Sequence, residues 1–416
     1  MVGGWHAGRR SVKAEEPVDL ELTSEQELMR DAARRMVAQV IEPRLASNDR
    51  AGALPKPVFL EIFDAVARLG LTAPRIPEEA GGSGIGMLDY GIMFEQIPPC
   101  VSMSMLSQDS CISRIYAEGD DGQRARFLPD LIAGRKLGCT GSTEPDTGSD
   151  PRGIKTRLTR DGDDLVLNGR KMWITNVSLC DTMIVTCLDA RHEAGGGSTP
   201  KPGASVVKVL VDRAQSPFEA REIDAIGLNQ GLLGEAVFED CRVPRDNLIE
   251  TQHGGTQVLK TSWNVNRPLV GLQAVHLAQR AFDVALDYAK GRRQFGKPIA
   301  GHQLMQKNLS DMATAIVASR LLCYRALDQL DKGKPADGAA AMAKRYAQSA
   351  CGEAVWQAMN VMGAMGLARE SGLEAMFRDI RMLPVPDGTN EILALIHGRE
   401  LTGLEAFRGI MAGAAA

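Results

Sequence analysis

The chain has 416 residues, of which 44% are hydrophobic, so it is long enough to bury two or three hydrophobic cores. Its formal net charge is −4, and its lysines and arginines are spread along the chain, which argues against a nucleic-acid-binding face. Eight cysteines without a CxxC pair and six isolated histidines predict neither a disulfide framework nor a metal site.

The first 21 residues are predicted to be a disordered tail. They lack the apolar core of a signal peptide, and the basic residues Arg9, Arg10 and Lys13 are followed at once by acidic ones, unlike a transit peptide. No apolar run in the sequence reaches the roughly 20 residues that span a bilayer, so no membrane association is expected. We therefore expect a cytoplasmic protein with reduced cysteines.

Residues 22–138 have the apolar spacing of helices and are predicted to form an N-terminal α-helical domain. Thr23 lies just before the first acidic residues, which is typical of a helix N-cap. A second helix is predicted from Pro57 to Leu69, ending at Gly70. Residues 73–84 are too rich in glycine and proline for a helix and predict a loop near a site.

Between residues 139 and 250 the apolar period changes to two, which predicts a central β domain. The Asn168-Gly169 pair is typical of a two-residue hairpin turn. In the strand after that turn, Lys171, Trp173 and Thr175 would share one face. Residues 141–153 form a loop of glycines and hydroxylated residues that suits an anion or a heteroaromatic edge, while residues 195–203 predict a surface loop.

After residue 250 the helical period returns. One helix is predicted to include His276–Lys290, and long helices are predicted over residues 304–331, 335–362 and 390–412. Four such helices in succession predict a C-terminal bundle over residues 251–416. The fold class is therefore α+β, with the order helical, β, helical.

Two motifs of the central segment together resemble one known family. The run Thr143-Glu-Pro-x-x-Gly-Ser-Asp150, followed by Asn168-Gly-x-Lys-x-Trp-Ile-Thr-Asn176, is similar to the central β-domain signature of the acyl-CoA dehydrogenase flavoproteins. Taken separately, the first motif is more typical of a polar surface loop and the second of an ordinary edge hairpin with a core tryptophan. The resemblance extends from about residue 22 to about residue 410 and implies an N-terminal helical domain, a central β-barrel or sandwich and a C-terminal four-helix bundle.

The resemblance implies FAD as cofactor. Two later motifs, Arg292-x-Gln-Phe-Gly and Asn360-x-x-Gly-Ala, resemble segments that reach the FAD of a neighbouring subunit and imply a homotetramer. In the second, asparagine and alanine replace the family's glutamine and glycine. The implied cofactor-binding residues are Thr140, Ser142, Thr143, Gly148, Ser149, Trp173, Ile174, Thr175, Arg292, Phe295, His302, Gln303, Asn360, Gly363, Ala364, Thr389 and Glu391.

The loop Pro386-Asp-Gly-Thr-Asn-Glu-Ile392 resembles the family's catalytic loop, where the base is usually glutamate. By itself the pattern is a turn with Thr389 as helix N-cap. The resemblance implies that Asp387 removes the α-proton of an acyl thioester from an apolar slot, while the β-hydrogen leaves as hydride to flavin N5. Some relatives place the base just before a conserved arginine, but here Asn266 precedes Arg267.

Aspartate withdraws the carboxylate by roughly 1.5 Å relative to glutamate, because it is one methylene shorter. Family branches with aspartate here handle bulky or cyclic acyl groups, which implies a branched or alicyclic substrate. The implied substrate-binding residues are Ser149, Asn264, Arg267, Gly388 and Asp109. Asp109 is either a second acid or base, or a solvated helical residue.

The C-terminal tail resembles the glutaryl-CoA dehydrogenase branch, but Val101 and Met105 stand near the positions of that branch's substrate arginine and serine. This argues against a dicarboxylic substrate. The expected electron acceptor is an electron-transfer flavoprotein. The sequence leaves open a carrier-protein thioester in place of acyl-CoA, an enoyl-thioester reductase, a flavin oxidase and a non-catalytic flavoprotein.

Overall fold

The protein consists of two helical regions with a β-sheet between them in sequence. The computed structural model describes residues 21–149, 153–190, 206–249, 256–404 and 406. The predicted glycine-rich loop at 195–203 and the tail before residue 21 lie outside these ranges. The predicted order of helical, β and helical segments is confirmed.

Residues 21–138, the part of the N-terminal region that the structure describes, contain six α-helices. Thr23 caps the first, because its hydroxyl accepts the backbone N–H of Gln26 at 3.2 Å. A single π-helical turn, Val37–Ile41, connects the first two helices. The helices are α1 (Ser24–Met36), α2 (Glu42–Ser47), α3 (Lys56–Arg68), α4 (Met87–Phe94), α5 (Pro99–Glu118) and α6 (Asp121–Ile132).

The described residues of the central region form one eight-stranded sheet. Its strands are β1 (Gly138–Gly141), β2 (Arg157–Asp161), β3 (Asp164–Thr175), β4 (Thr182–Asp189), β5 (Val206–Asp212), β6 (Glu219–Glu222), β7 (Leu233–Pro244) and β8 (Leu248–Ile249). They follow the order β6-β7-β3-β2-β4-β5-β8, and β1 pairs in parallel with β4. The two longest strands, β3 and β7, are neighbours and pair antiparallel.

The predicted hairpin turn at Asn168-Gly169 is wrong. Both residues lie inside β3, and the turn falls instead between Asp161 and Asp164, which pair across β2 and β3. The Asn168 side chain bonds to Asp240 of β7, donating from Nδ2 at 3.1 Å and accepting the Asp240 N–H at 2.8 Å. Gly169 has φ +147°, and a Cβ there would lie 2.6 Å from the Thr156 hydroxyl, so the glycine serves a bulge.

The C-terminal region is a bundle of long helices. Its elements are α7 (Thr256–Gly291), β9 (Arg293–Gln294), β10 (Lys297–Pro298), α8 (Gln303–Asp331), α9 (Asp337–Met362), α10 (Ala364–Leu367), α11 (Leu373–Met382) and α12 (Asn390–Thr402). The last helix ends at residue 402, not at the predicted 412, because Gly403 adopts φ +72°. Helix α7 ends at Gly291, five residues before Gly296, which lies in the turn between β9 and β10.

The bundle and the N-terminal helices share one hydrophobic core. Phe59 and Tyr90 of the N-terminal helices and Leu327 and Val355 of the bundle are all fully buried in it. A partly buried ion pair adds to the contact, since Arg320 of α8 donates to Glu95 at 2.8 Å. A second core lies within the sheet and a third packs α5 and α6 against β4 and β5. In the described ranges no helix has the length and apolarity that crossing a bilayer requires.

Candidate active site

The loop between α11 and α12 carries Asp387. Its backbone is left-handed at two successive residues, with φ +55° at Asp387 and +103° at Gly388. Glycine adopts this conformation freely, and aspartate tolerates it better than most residues do. Thr389 then caps α12, accepting the Ile392 N–H at 3.5 Å, so the predicted N-cap is confirmed. The turn and the cap together fix where the Asp387 side chain leaves the backbone.

A buried lysine on α9 binds the backbone of this loop. Lys344 of α9 is fully buried, and its Nζ donates to the carbonyl oxygens of Pro384, Pro386 and Gly388 at 3.3, 2.5 and 2.6 Å. One ammonium group thus satisfies three otherwise unpaired backbone acceptors. No pattern in the sequence marks Lys344 as part of the site, because a lysine within a helix is usually solvated.

Helix α7 contacts the loop from a second side. Arg267 donates from Nε to the Asp387 carbonyl oxygen at 3.2 Å and from Nη1 to the Asn264 side chain at 3.2 Å. Asn264 in turn donates to Asp337, the first residue of α9. The predicted substrate residues Asn264, Arg267 and Gly388 are therefore brought together around Asp387.

Burial raises the pKa of Asp387 above the ordinary value of 3.8. The charges of Lys344, Arg267 and Arg114 oppose this shift, as does a hydrogen bond from Asn266. Asp387 is half-buried and three cations lie around it, so its surroundings are more polar than the predicted apolar slot. Desolvation makes the carboxylate a stronger base and the cations oppose that shift, a combination suited to proton abstraction.

Helix α5 connects the sheet to the Asp387 loop. Ser107 donates to the carbonyl oxygen of Thr175, the last residue of β3, at 3.0 Å. One turn later on α5, Ser110 accepts from Asn266 at 3.2 Å, and Asn266 precedes the arginine that holds the loop. Helix α5 therefore contacts both regions that the sequence motifs identified, the end of β3 and, through Asn266, the helix that holds the Asp387 loop.

The end of β3 presents an aromatic side chain to its surroundings. Trp173 has φ +62° and is 52% exposed, whereas Ile174 is buried and Thr175 is half-buried. The register with β7 shifts between Lys171 and Ile174, so the predicted shared face of Lys171, Trp173 and Thr175 is wrong. Lys171 is fully buried instead. The bulge turns the indole outward, where it can stack on a planar ring.

The loop after β1 lies against this strand. Thr143 accepts the Met172 N–H at 3.0 Å through its carbonyl oxygen, and the Ser142 hydroxyl lies 3.1 Å from that of Thr186. Thr140, Ser142 and Thr143 are half-buried, and Gly148 and Ser149 are exposed. Hydroxyls beside an exposed indole fit the FAD that the resemblance implies, because the isoalloxazine combines a flat apolar face with a polar edge.

A buried ion pair anchors this loop. Lys171 donates to Glu144 at 2.7 Å, and the same carboxylate accepts the backbone N–H groups of Lys155 at 2.7 Å and Thr156 at 3.0 Å. Burial would raise the pKa of Glu144, but the hydrogen bonds from Lys171 and Thr156 lower it. The glutamate of the Glu-Pro motif is therefore structural.

The remaining predicted cofactor residues lie on the exterior of the bundle. Phe295 is 93% exposed at the β9–β10 turn, and its ring meets that of His302 at 6.0 Å. Arg292 and Gln303 are exposed beside them. Asn360, Gly363 and Ala364 are exposed where α9 ends, and Glu391 is exposed on α12. Exposure of these residues allows contacts to a molecule outside this chain.

A second buried polar cluster lies on α5 and was only partly predicted. Asp109 is fully buried and pairs with Arg75 at 2.6 Å, so its interpretation as a solvated helical residue is wrong. Arg114, one turn after Ser110, is also buried, and its Nε and Nη1 have no hydrogen-bond partner among the described residues. Val101 and Met105 are fully buried apolar side chains on the same helix. The helix therefore presents both polar and apolar groups.

Three family models match consecutive parts of the chain. They describe the acyl-CoA dehydrogenase N-terminal domain at residues 23–135, the middle domain at residues 139–241 and the C-terminal domain at residues 253–402.

Relatives match over nearly the whole length. A probable acyl-CoA dehydrogenase, YngJ, of Bacillus subtilis is 32% identical over 92% of this chain and 100% of its own. Cyclohex-1-ene-1-carbonyl-CoA dehydrogenase of Geobacter metallireducens is 33% identical over 91% of this chain and 98% of its own. Acryloyl-CoA reductase (NADH) of Anaerotignum propionicum is 32% identical over 92% of this chain and 96% of its own.

Solved structures of acyl-CoA dehydrogenases are similar to this chain in fold. Butyryl-CoA dehydrogenase of Megasphaera elsdenii superposes with a TM-score of 0.83 and 29% identity, covering 92% of this chain and 100% of that one. A glutaryl-CoA dehydrogenase of Mycobacterium smegmatis in complex with FADH2 has a TM-score of 0.82 and 25% identity over 93% and 97%. The chain therefore belongs to the acyl-CoA dehydrogenase family, whose members are FAD-dependent oxidoreductases acting on CH–CH groups.

Proposed function

We propose that this chain catalyses the α,β-dehydrogenation of an acyl-CoA thioester, with Asp387 as the base. The observation that carries the proposal is the Asp387 loop: a desolvated carboxylate on a left-handed turn, held by Lys344 and Arg267. The family's catalytic carboxylate occupies the corresponding loop in the sequence resemblance. Among the described residues, Asn266 occupies the alternative position of the base and cannot accept a proton at neutral pH.

In this proposal the Asp387 carboxylate takes the α-proton, and the Cα–H bonding electrons become the new C=C bond. The bound flavin supplies the acceptor for the β-hydride. The backbone N–H of Asp387 is the proposed donor to the thioester oxygen, where negative charge develops as the α-proton leaves. Arg267 fixes the peptide unit on the other side of the same residue. Base and donor thus move together with one loop.

We infer a branched or alicyclic acyl group. A base withdrawn by roughly one methylene suits a substrate whose bulk brings its α-carbon closer to the loop. Val101 and Met105 add buried apolar surface on α5. The 33% identical relative named for a cyclohexene carboxyl thioester supports this inference.

The test is an anaerobic titration of the purified flavoprotein with straight, branched and alicyclic acyl-CoAs, monitored by bleaching of the oxidised-flavin band. We expect the branched or alicyclic thioesters to bleach it fastest. Asp387→Glu serves as the matched variant, and it should slow those substrates at least tenfold more than straight-chain ones. Equal rates for all three classes in both proteins would refute the inference about the acyl group.

A second candidate function is the reduction of an enoyl-thioester, which the acryloyl-CoA reductase relative favours. Enoyl-CoA with NADH would then be consumed faster than acyl-CoA is oxidised. An oxidase would turn over with oxygen as sole acceptor, and a carrier-protein-linked enzyme would prefer the carrier thioester. Bound flavin that no thioester reduces would leave a non-catalytic flavoprotein.

We also propose a cytoplasmic homotetramer that functions in acyl-thioester or lipid metabolism and passes electrons to an electron-transfer flavoprotein. The exposed residues Arg292, Phe295 and Gln303 and the half-buried His302, with Asn360, Gly363 and Ala364, would complete the FAD site of a neighbouring subunit. Thr140, Ser142, Thr143, Gly148, Ser149, Trp173, Ile174, Thr175, Thr389 and Glu391 would bind FAD within the subunit.

Asp109 remains a proposed substrate-side group, paired with Arg75. If it acts as a second acid or base, Asp109→Ala should slow flavin reduction in the acyl-CoA titration at substrate saturation. Unchanged turnover would leave Asp109 a structural partner of Arg75.

A further inference from the structure

We propose that Lys344 is a positioning residue that holds the Asp387 carboxylate in its reactive position and keeps it ionised. This rests on the proposed function, because it takes Asp387 to be the base. Lys344 lies on α9 and touches no reacting atom in the proposed mechanism. It acts through the backbone of the loop that carries Asp387.

The hydrogen bonds of Lys344 bracket the base. Its Nζ donates to the carbonyl oxygen of Pro386, just before Asp387, at 2.5 Å and to that of Gly388, just after it, at 2.6 Å. A third bond reaches Pro384 at 3.3 Å. All three donors of the ammonium are therefore used on one loop of five residues. A base held on both sides cannot rotate away without breaking a charge-assisted bond.

The loop needs this support because its conformation is not favourable by itself. Asp387 has φ +55°, a region that residues other than glycine occupy at a cost. The carbonyl oxygens that accept from Lys344 point toward the interior, where water would otherwise have to satisfy them. Lys344 is fully buried, so it contributes an unscreened positive charge at the same place.

The charged groups around Lys344 and Asp387 come from the Asp387 loop and from four helices, α5, α7, α9 and α12. Asp387 faces it from the loop and Arg267 from α7. Arg114 on α5 also acts on Asp387, while Asp337 on α9 and Arg399 on α12 act on Arg267. Among the cations that lower the pKa of Asp387, Lys344 has the largest effect. Removing that charge should let burial raise the pKa of Asp387 further.

The experiment compares Lys344→Met, Lys344→Gln and Lys344→Arg with the wild type and with Asp387→Asn. Lys332→Met is the matched control, because Lys332 is an exposed lysine on the same bundle, at the end of α8. For each purified flavoprotein, FAD content, acyl-CoA binding and the rate of flavin reduction are measured from pH 5 to pH 9. The substrate is the thioester that reduces the wild type fastest.

We expect Lys344→Met to retain FAD and to bind the thioester within about threefold, while flavin reduction slows on the order of a hundredfold, the cost of about 1 Å of misplacement. The acid limb of its pH–rate profile, where flavin reduction falls as Asp387 is protonated, should move to higher pH, because Asp387 takes up a proton more readily. Lys344→Arg should restore the acid limb but not the full rate, because it keeps the charge without the fit. Lys344→Gln should fall between them in rate and keep the shifted limb.

Three outcomes would overturn the proposal. The first is a wild-type rate and acid limb in Lys344→Met. The second is a lower rate with an unmoved acid limb in all three variants. The third is loss of FAD in all three while Lys332→Met is normal, because this would make Lys344 a core residue only. Wild-type flavin reduction in Asp387→Asn would instead refute the proposed function, whatever the Lys344 variants do.

Discussion

Asp387, the proposed base, carries its charge in an unfavourable environment. Because burial raises its folded-state pKa above 3.8, the folded chain holds that proton more tightly than the unfolded chain. Stability is therefore lost as pH rises from the ordinary value through the raised one, and the deficit persists at neutral pH. Catalytic residues commonly carry such a cost, since activity requires the charge where folding does not.

Asp387→Asn should reduce flavin reduction by about 10²- to 10⁴-fold, the usual contribution of a general base. It should also raise stability at pH 7 by about 1 kcal/mol, because the buried charge is gone and asparagine tolerates φ +55°. Anaerobic flavin reduction and urea unfolding measure the two effects. A destabilised Asp387→Asn protein would mean that the surrounding cations, not burial, dominate this site.

Lys344 predicts a pH dependence of the opposite sign. Burial lowers its pKa from 10.5 to about 8, so between these values the unfolded chain binds more protons than the folded chain. Stability must then rise with pH across that window, by up to about 3 kcal/mol. The free energy of unfolding of the wild type minus that of Lys344→Met, measured by urea from pH 7.5 to pH 9.5, should increase. A flat difference would contradict the lowered pKa.

At the scale of elements, the loop after β1 depends on β3 through one buried pair. Lys171→Met should leave the Glu144 carboxylate buried without its cation, which costs about 3–5 kcal/mol and should release FAD. The double change Lys171→Met with Glu144→Gln should recover part of that loss. Lys155→Met is the control, because its ion pair with Asp146 is exposed and is screened by solvent. Equal stability of the two lysine variants would refute an anchoring role for Lys171.

At the scale of the whole molecule, most of the exposed large apolar side chains lie on the bundle, and Trp356 packs on Phe377 at 5.6 Å there. Exposed apolar surface of this extent is typical of a subunit interface. Leu367→Asp should therefore dissociate the proposed tetramer and release FAD in parallel, as seen by light scattering and flavin absorbance. Leu28→Asp is the control, with a leucine 68% exposed on α1 against 72% for Leu367. Dissociation without loss of flavin would place the whole FAD site within one subunit.

Local patterns in the sequence were enough to predict the helical, β and helical order, the Thr23 and Thr389 caps, and the segments that meet around Asp387. These features depend on side-chain period and on hydrogen bonds between near neighbours in the chain, so a few consecutive residues specify them. The family motifs added the expected base and cofactor, because each motif is itself a short run.

Only the tertiary structure decided which side of each element faces the site. Asn168-Gly169 is a good hairpin turn locally, but Asp240 and Thr156 hold it inside a strand, and the bulge after Lys171 reverses the expected face of Trp173. Lys344 lies 43 positions from Asp387 in sequence, and its partners are backbone oxygens that any residue could supply. A contact of that kind leaves no pattern in the sequence, because its specificity comes from burial and geometry rather than from residue type.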